Sequence, residues 1–171
     1  MRKPSQRITP FLWFDDQAEE AARFYVSIFS DSRITSVVRY DDAAAKASGR
    51  PTGSVMTVAF ELDGQPLTAL NGGPHFKFTE AISLVVNCET QEEVDHFWGK
   101  LSAGGQEVQC GWLKDRYGVS SQVVPIILIE MLQDKDPEKS KRVMAAMLEM
   151  TKLSVEGLKN AYEGRVTAEG A

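Results

Sequence analysis

Hydrophobic and polar positions follow two different periods in the first half of the chain. Residues 8–15 form an aromatic, apolar run bounded by the pair Asp15 and Asp16, which predicts a strand. Apolar residues then recur at helical spacing from Ala18 to Phe29, and Asp15 or Asp16 is placed to cap this helix. The polar, small residues 41–52 predict a mobile loop. Further strands are predicted over residues 33–40, 54–62 and 65–71.

The second half repeats this order in a shorter form. A strand is predicted over residues 81–88, and a helix over residues 91–103 that ends at two glycines. Residues 107–114 and 119–124 are predicted strands joined by a turn at residues 115–118. The second module is therefore expected to have the same start as the first, with one strand fewer or two strands merged.

A constant offset of 73 residues aligns the two halves. Glu20 falls on Glu93, Phe24 on Phe97, and the same offset lays residues 9–15 over residues 82–88. A period of this length indicates one supersecondary module used twice. Two modules that share a core create a place for a ligand cleft.

The tail of the chain differs in kind from the two modules. Residues 125–132 are predicted to be a short helix or an extended apolar segment, and Asp136 with Pro137 marks a capped helix start. Ser154 opens a last helix that reaches about Tyr162. The apolar stripe of these helices packs on its own sheet or on a second subunit, and the sequence leaves both open. The predicted organisation is a first module over residues 8–75, a second over 76–125, a helical extension over 126–163 and a disordered tail over 164–171.

Composition narrows the classes of partner. The chain has 171 residues, 43% of them hydrophobic, with a formal net charge of −5 and no cluster of Lys and Arg, which argues against nucleic-acid binding. No apolar run is long enough to cross a membrane, and no secretory signal follows the basic start. Cys88 and Cys110 form no CxxC motif. They are expected to be reduced thiols of a cytoplasmic protein with no membrane partner.

Several short motifs together resemble the vicinal-oxygen-chelate superfamily, which includes glyoxalase I, fosfomycin- and bleomycin-resistance proteins and extradiol dioxygenases. The likeness is greatest to its PhnB-like branch, labelled the 3-demethylubiquinone-9 3-methyltransferase domain. It covers about residues 8–163, and the motifs that carry it are residues 8–15, 18–21 with 24–25, 69–74, 110–115 and 122–125. The resemblance implies an α+β fold with a U-shaped, eight-stranded mixed sheet, helices outside, a ligand cleft inside, and a homodimer.

The resemblance also raises the question of a metal, because related enzymes usually hold a divalent ion with His, Glu or Gln. It places the corresponding positions at Pro10, Ser83 and Gln122, with Asn71 as the only amide of the remaining region, residues 67–71. Proline has no side-chain donor, and a hydroxyl or a neutral amide is a weak ligand beside imidazole or carboxylate. The sequence therefore predicts a cleft with no metal and no cofactor.

The methyltransferase label is not supported by a cofactor motif. No glycine-rich loop follows a strand and opens a helix, since residues 71–74 end in proline and lead into another strand. The label is therefore not expected to describe the activity.

Strand parity selects the predicted contact residues. In the second module Val86 is expected to face the helix and Ser83 the cleft, while in the first module Trp13 is expected to pack under the helix and Phe14 to face the cleft. By the same parity, Phe11 shares the helix side with Trp13, and Leu12 shares the cleft side with Phe14. In the second module the helix side also takes Ile82 and Leu84, and the cleft side also takes Val85 and Asn87.

The predicted ligand contacts are Phe14, Asn71, Ser83 and Gln122, with His75 as a candidate general acid or base. Each has a structural alternative: His75 as an exposed loop residue, Asn71 as a turn former, and Ser83 with Gln122 as a mutual hydrogen bond. Trp112 is an aromatic wall or a core residue, and Asp115 with Arg116 is expected to be a surface ion pair.

The leading hypothesis is a homodimer that binds a small, partly apolar organic molecule in a metal-free cleft formed by both modules. If it is an enzyme, a lyase or isomerase reaction is favoured over methyl transfer. The alternatives are a metal-dependent lyase, isomerase or dioxygenase of the glyoxalase type, a non-catalytic binder of the resistance type, and a scaffold whose cleft is filled by its own side chains.

Overall fold

The computed structural model describes residues 6–165. Its contacts divide the chain into two compact units, the first ending at Phe78 and the second beginning at Thr79. Each unit contains one four-stranded mixed sheet, and the strand order is equivalent in the two: β1-β4-β3-β2 in the first and β5-β8-β7-β6 in the second. The architecture is therefore α+β, with one β-α-β module and a returning pair of strands in each unit.

The first unit places its edge strand β1 parallel to β4, and the other strands pair antiparallel. Its elements in chain order are β1 (Phe11–Phe14), α1 (Ala18–Val26), β2 (Arg33–Arg39), α2 (Asp42–Ser48), β3 (Val55–Leu62) and β4 (Gln65–Asn71). Small residues on the buried side of α1, such as Ala21 and Ala22, let the helix approach the sheet closely, and the Tyr25 ring stacks on Phe60 with centroids 6.2 Å apart.

Helix α2 corrects the prediction of a mobile loop over residues 41–52. The Asp41 carboxylate accepts a hydrogen bond from the Ala44 N–H at 2.7 Å, and Gly49 ends the helix with a φ of 72°. An aspartate cap, a run of alanines and a glycine in the left-handed region are together sufficient for a short helix. The prediction weighed polarity and glycine content and overlooked these two end signals.

The second unit repeats the arrangement, with β5 parallel to β8 and antiparallel pairs elsewhere. Its elements are β5 (Leu84–Cys88), α3 (Gln91–Ser102), β6 (Gln106–Glu107), β7 (Trp112–Lys114), β8 (Ser120–Pro125), α4 (Ile126–Leu132), α5 (Pro137–Leu148) and α6 (Val155–Glu163). The predicted single strand over 107–114 is two strands, because the backbone reverses through positive φ at Cys110 (61°) and Gly111 (79°). The expectation of a missing or merged strand was therefore wrong.

The two modules are aligned by different offsets in their helices and strands. The buried helix residues Tyr25 and Trp98 are 73 positions apart, whereas the buried last residues of β1 and β5, Phe14 and Cys88, are 74 apart. Three residues (15–17) join β1 to α1, and two (89–90) join β5 to α3. Since a shift of one residue moves every strand side chain to the other face, the constant offset of 73 assigned the faces of β1 incorrectly.

The observed faces of β1 follow from its pairing with β4. Phe14 pairs with Asn71, whose side chain reaches the start of α1, so Phe14 lies on the helix side of the sheet and is 3% exposed. Trp13 and Phe11 lie on the opposite side, with Phe11 59% exposed. The prediction that Phe11 and Trp13 pack under the helix while Leu12 and Phe14 face the cleft is therefore reversed by the structure.

The C-terminal helices pack within the second unit. They share a hydrophobic cluster with the end of β8, consisting of Val124, Leu128, Met131, Val143, Leu153 and Leu158. Arg142 of α5 also donates to the Ala161 and Tyr162 carbonyls at the end of α6. The sequence left open whether the apolar stripe of these helices packs on its own chain or on a second subunit. The buried part of that stripe packs on its own chain. Of the predicted tail, residues 166–171 lie outside the described residues.

None of the helices formed by residues 6–165 has the length and apolar character that a bilayer span requires.

Candidate functional site

The structure joins two of the predicted site residues directly. The side-chain N–H of Gln122 donates to the Ser83 hydroxyl at 2.9 Å. Gln122 lies in the middle of β8, and Ser83 immediately precedes β5, the strand that runs parallel to β8. The predicted mutual hydrogen bond is therefore present, and it leaves the Ser83 proton, the Gln122 carbonyl and one amide proton for another partner.

Strand pairing defines the surface on which this pair lies. Gln122 is opposite Val85 on β5 and opposite Trp112 on β7, while the helix α3 packs on the other side of the sheet. We call the side turned away from α3 the distal face of the second sheet. Its members are Ser83, Val85, Asn87, Trp112, Lys114, Ser120, Gln122 and Val124, the last of which packs against the C-terminal helices. Val85 is 50% exposed, so apolar surface borders the polar pair.

A cation lies two residues from Trp112 on the same face. The Lys114 ammonium forms an ion pair with Glu80, whose side chain is 62% exposed, whereas that of Lys114 is 31% exposed. The hydrogen bond from Lys114 lowers the pKa of the Glu80 carboxyl, and the lysine charge adds to the effect. The arrangement holds a positive charge at the surface with an exposed carboxylate as its partner.

Ser120 is the cross-strand neighbour of Lys114 and is only 2% exposed. Its hydroxyl has no hydrogen-bond partner among the described residues. An unpaired buried hydroxyl costs roughly 1–3 kcal/mol, which a partner group would recover. This is the one position on the distal face where polar capacity is both buried and unused within the described part of the chain.

The turn between β7 and β8 fixes the relative positions of Lys114 and Ser120. Asp115 is buried, and its carboxylate accepts from the backbone N–H groups of Tyr117 at 2.9 Å and Val119 at 3.0 Å. Arg116 donates to the Ala103 carbonyl. Asp115 is thus a buried, hydrogen-bonded residue and not the surface residue that was expected, and Arg116 ties the turn to the end of α3.

Asn71 has a structural role in the first unit. Its side-chain oxygen accepts from the Ala18 N–H at 2.7 Å, and its amide donates to the Val55 carbonyl at 3.1 Å. The residue is 5% exposed, so it caps α1 from a neighbouring strand. Because both polar ends of its side chain are already hydrogen-bonded, Asn71 is a structural residue of the first unit.

Phe14 is likewise a core residue. It packs edge-on against Phe78, with ring centroids 5.0 Å apart, on the α1 side of the first sheet. Its predicted role as a cleft wall depended on the reversed face assignment. The side chain that takes the opposite face in the first sheet is Trp13, which donates from its indole N–H to the Gly73 carbonyl at 2.9 Å.

His75 is an exposed residue of the turn that follows Gly73. The first of the two preceding glycines is required by Trp13, because a Cβ on Gly72 would lie 2.2 Å from the indole ring. The His75 side chain is exposed, whereas a general base is normally oriented by a hydrogen-bond partner. Its catalytic role stays a prediction.

The side chains at the metal positions of related folds do not form a suitable ligand set. With the strand offset of 74, the counterpart of Ser83 is Thr9 rather than Pro10, and both are hydroxyl residues. Gln122 already donates to Ser83, and residues 6–165 contain no group of three or more His, Cys, Asp or Glu placed to hold an ion. Two hydroxyls and an amide are weak ligands for a divalent cation.

Two members of the distal face were missed as contacts by the sequence analysis, Lys114 and Ser120. Ser120 was within reach, because it stands two residues before Gln122 and so shares its face of β8. The position of Lys114 beside Ser120 was not, because it depends on the register between β7 and β8.

The family model for 3-demethylubiquinone-9 3-methyltransferase matches residues 6–124. Among solved structures, the chain is similar to a PhnB protein from Bacillus cereus, with 39% identity over 70% of this chain and 99% of that one and a TM-score of 0.63. The family model extends over both sheets and ends before α4, the first helix of the C-terminal extension.

Two more distant structures share the fold. Protein PA1353 from Pseudomonas aeruginosa is 20% identical over 71% of this chain and 98% of its own, with a TM-score of 0.58. The fosfomycin resistance protein FosX from Listeria monocytogenes, solved with Mn(II) and sulfate, is 15% identical over 77% and 98%, with a TM-score of 0.51. The curated proteins contain no significant match to the chain.

Proposed function

The chain belongs to the 3-demethylubiquinone-9 3-methyltransferase family, in its PhnB-like branch with the vicinal-oxygen-chelate fold, and we propose that it binds a small, partly apolar organic molecule on the distal face of the second sheet. Binding there requires no metal. The hydrogen bond between Ser83 and Gln122 is the single observation that carries this proposal, because it places a polar anchor in a partly apolar surface.

The anchor suits a ligand with both polar and apolar parts. After their mutual bond, Ser83 keeps a donor and Gln122 keeps an acceptor and a donor, so the pair orients a carbonyl, hydroxyl or amide group. Trp112 and Val85 flank Gln122 on the neighbouring strands and offer apolar contact. A few placed polar groups among apolar side chains are typical of small-molecule sites.

The chemistry proposed for this site is binding without methyl transfer. No segment of the sequence forms a glycine-rich loop that opens a helix, and the donors on the distal face are neutral apart from Lys114. The family name alone therefore gives no reaction. A non-catalytic binder, such as a protein that sequesters a harmful compound, is consistent with the same surface.

The experiment is a thermal-shift screen of metabolites in the presence of EDTA, followed by titration monitored through tryptophan fluorescence. Gln122→Leu should weaken binding of a hit by about tenfold, because one polar anchor is lost and Ser83 is left without its donor. Gln109→Leu, an exposed glutamine in the same unit, is the matched control and should change nothing.

Two results would contradict the proposal: a hit that binds only when Zn, Ni, Fe or Mn is added, or equal affinity for the wild type and Gln122→Leu. If a bound compound is turned over, His75→Ala separates the remaining alternatives. Loss of turnover with unchanged affinity would support His75 as the general acid or base, and unchanged turnover would remove it from the candidates.

A further inference from the structure

The distal face has a second polar group next to the anchor, formed by Lys114, Ser120 and Gln122. Lys114 and Ser120 are direct cross-strand neighbours, and Gln122 stands two residues further along β8 on the same side. Side chains at such positions lie within about 5–8 Å of one another at their Cβ atoms. The three therefore form a continuous column of polar groups, which we call the donor column.

The unused hydrogen-bonding capacity of the donor column consists mostly of donors. The lysine ammonium has three N–H groups and no acceptor, and the Ser120 hydroxyl has a proton that no described residue accepts. Gln122 retains one amide proton after its bond to Ser83. A column that offers N–H and O–H groups beside a positive charge is complementary to an oxygen anion.

The Lys114 ammonium is already paired with a carboxylate in the structure. Glu80 pairs with Lys114, but its side chain is 62% exposed and comes from the segment before β5. Exposed ion pairs contribute little free energy, so a ligand anion can replace Glu80 at small cost. Such an exchange would also supply the acceptor that the buried Ser120 hydroxyl lacks.

We propose that the molecule bound on the distal face carries a carboxylate or phosphonate group, and that Lys114 and Ser120 bind that group while Trp112 and Val85 contact its apolar part. This inference rests on the proposed function and specifies the class of ligand. The buried, unpartnered Ser120 hydroxyl distinguishes the column from an ordinary surface lysine.

Three probes with one aromatic body test the inference: phenylphosphonate, benzoate and the neutral benzamide, each titrated into the full chain and followed by tryptophan fluorescence and calorimetry. At least one of the two anions should bind about tenfold more tightly than benzamide. A preference for phenylphosphonate would identify the ligand group as a phosphonate, and a preference for benzoate would identify it as a carboxylate. Lys114→Met should remove this preference, and Lys114→Arg should retain it.

Two further variants have opposite expected signs. Glu80→Gln should tighten anion binding by a few fold, because the competing carboxylate is gone. Ser120→Ala should weaken anion binding by about fivefold while leaving the melting temperature equal or higher, since an unpaired buried hydroxyl is removed. Lys152→Met, which breaks the exposed pair with Asp95 in the same unit, is the control and should leave all three affinities unchanged.

The outcomes separate this inference from the proposed function. If benzamide binds as tightly as both anions and Gln122→Leu weakens all three, the site exists and the anion inference is wrong. If Ser120→Ala and Lys114→Met bind the anions like the wild type, the inference is also wrong. An ordered water would then be the simplest hydrogen-bond partner for the Ser120 hydroxyl. If neither these probes nor any metabolite binds, the proposed function fails with it.

Discussion

The two sheets have equivalent strand orders and very different distal faces. In the first sheet Glu61 of β3 lies opposite Pro66 of β4 and pairs with Arg33 at 2.6 Å. At the equivalent positions of the second sheet, Lys114 lies opposite Ser120. The carboxylate and the proline offer no donor of their own, and the donors of Arg33 are exposed, whereas the ammonium in the second sheet lies beside a buried hydroxyl.

The comparison shows that the repeat preserves the pairing geometry and lets the chemistry of one face diverge. The sheet-facing residues in and just after the first helix of each unit are similar in type, as with Tyr25 and Trp98 or Ile28 and Leu101, because both sets pack under the same constraint. Apart from Val124, the distal face of the second sheet has no such constraint from a helix. Functional differences between the modules are therefore expected there.

The largest expected effect tests the different offsets of strands and helices. Phe14→Ala should destabilise the protein by about 3–5 kcal/mol, because a buried ring on the helix side is lost. Asn87→Ala, the partner of Phe14 under an offset of 73, is exposed and should change stability by less than about 0.5 kcal/mol. Chemical denaturation of both variants measures this, and similar losses would contradict the offset of 74.

A smaller loss of stability is expected when the N-terminal caps of α1 and α3 are removed. Asn71→Ala should cost about 2 kcal/mol, since the buried Ala18 N–H and the Val55 carbonyl both lose a partner. Thr90→Ala, which removes the local cap of α3 at the Glu93 N–H, should cost about 1 kcal/mol. Urea unfolding compares them, and an equal or reversed order would argue against Asn71 as the cap of α1.

Cys88 is the counterpart of Phe14, and its burial gives the second unit a pH dependence. Burial raises the pKa of the Cys88 thiol to about 11, from an ordinary value of 9.0, and nearby Glu93 adds to the shift. Because the unfolded thiol loses its proton first, this contribution to stability is complete below pH 9.0 and is lost as the pH rises toward about 11.

By pH 11 the loss attributable to Cys88 should be roughly 2 kcal/mol, since each tenfold difference in acidity between the folded and unfolded thiol is worth about 1.4 kcal/mol. Wild type and Cys88→Ala are compared by urea unfolding at several pH values across this window, and the difference between them isolates the thiol from other titrating groups. Parallel pH profiles would show that the thiol does not carry the effect.

The smallest effect concerns the ion pair on the distal face of the first sheet. Glu61→Gln should change stability by less than about 1 kcal/mol, because its partner Arg33 is largely exposed. It should also leave phenylphosphonate and benzoate affinities unchanged. A change in anion affinity comparable to that of Lys114→Met would mean that the two faces do not differ in the way that we infer.

The sequence by itself determined the repeated module, the two first helices, and the caps at Asp136 and Ser154, both of which accept a backbone N–H as predicted. These features depend on local periodicity and on short-range hydrogen bonds, which are written in neighbouring residues. The Ser83–Gln122 pair was also within reach, because each residue was placed on its face by parity.

Only the tertiary structure decided which face each strand of the first module presents and which polar groups lack a partner. One additional residue between β1 and α1 reverses the parity of Phe14 and Trp13, and sequence alignment at a single offset cannot detect it. The burial of Ser120 and the cap that Asn71 provides depend on strands brought together from distant parts of the chain, so no local pattern encodes them.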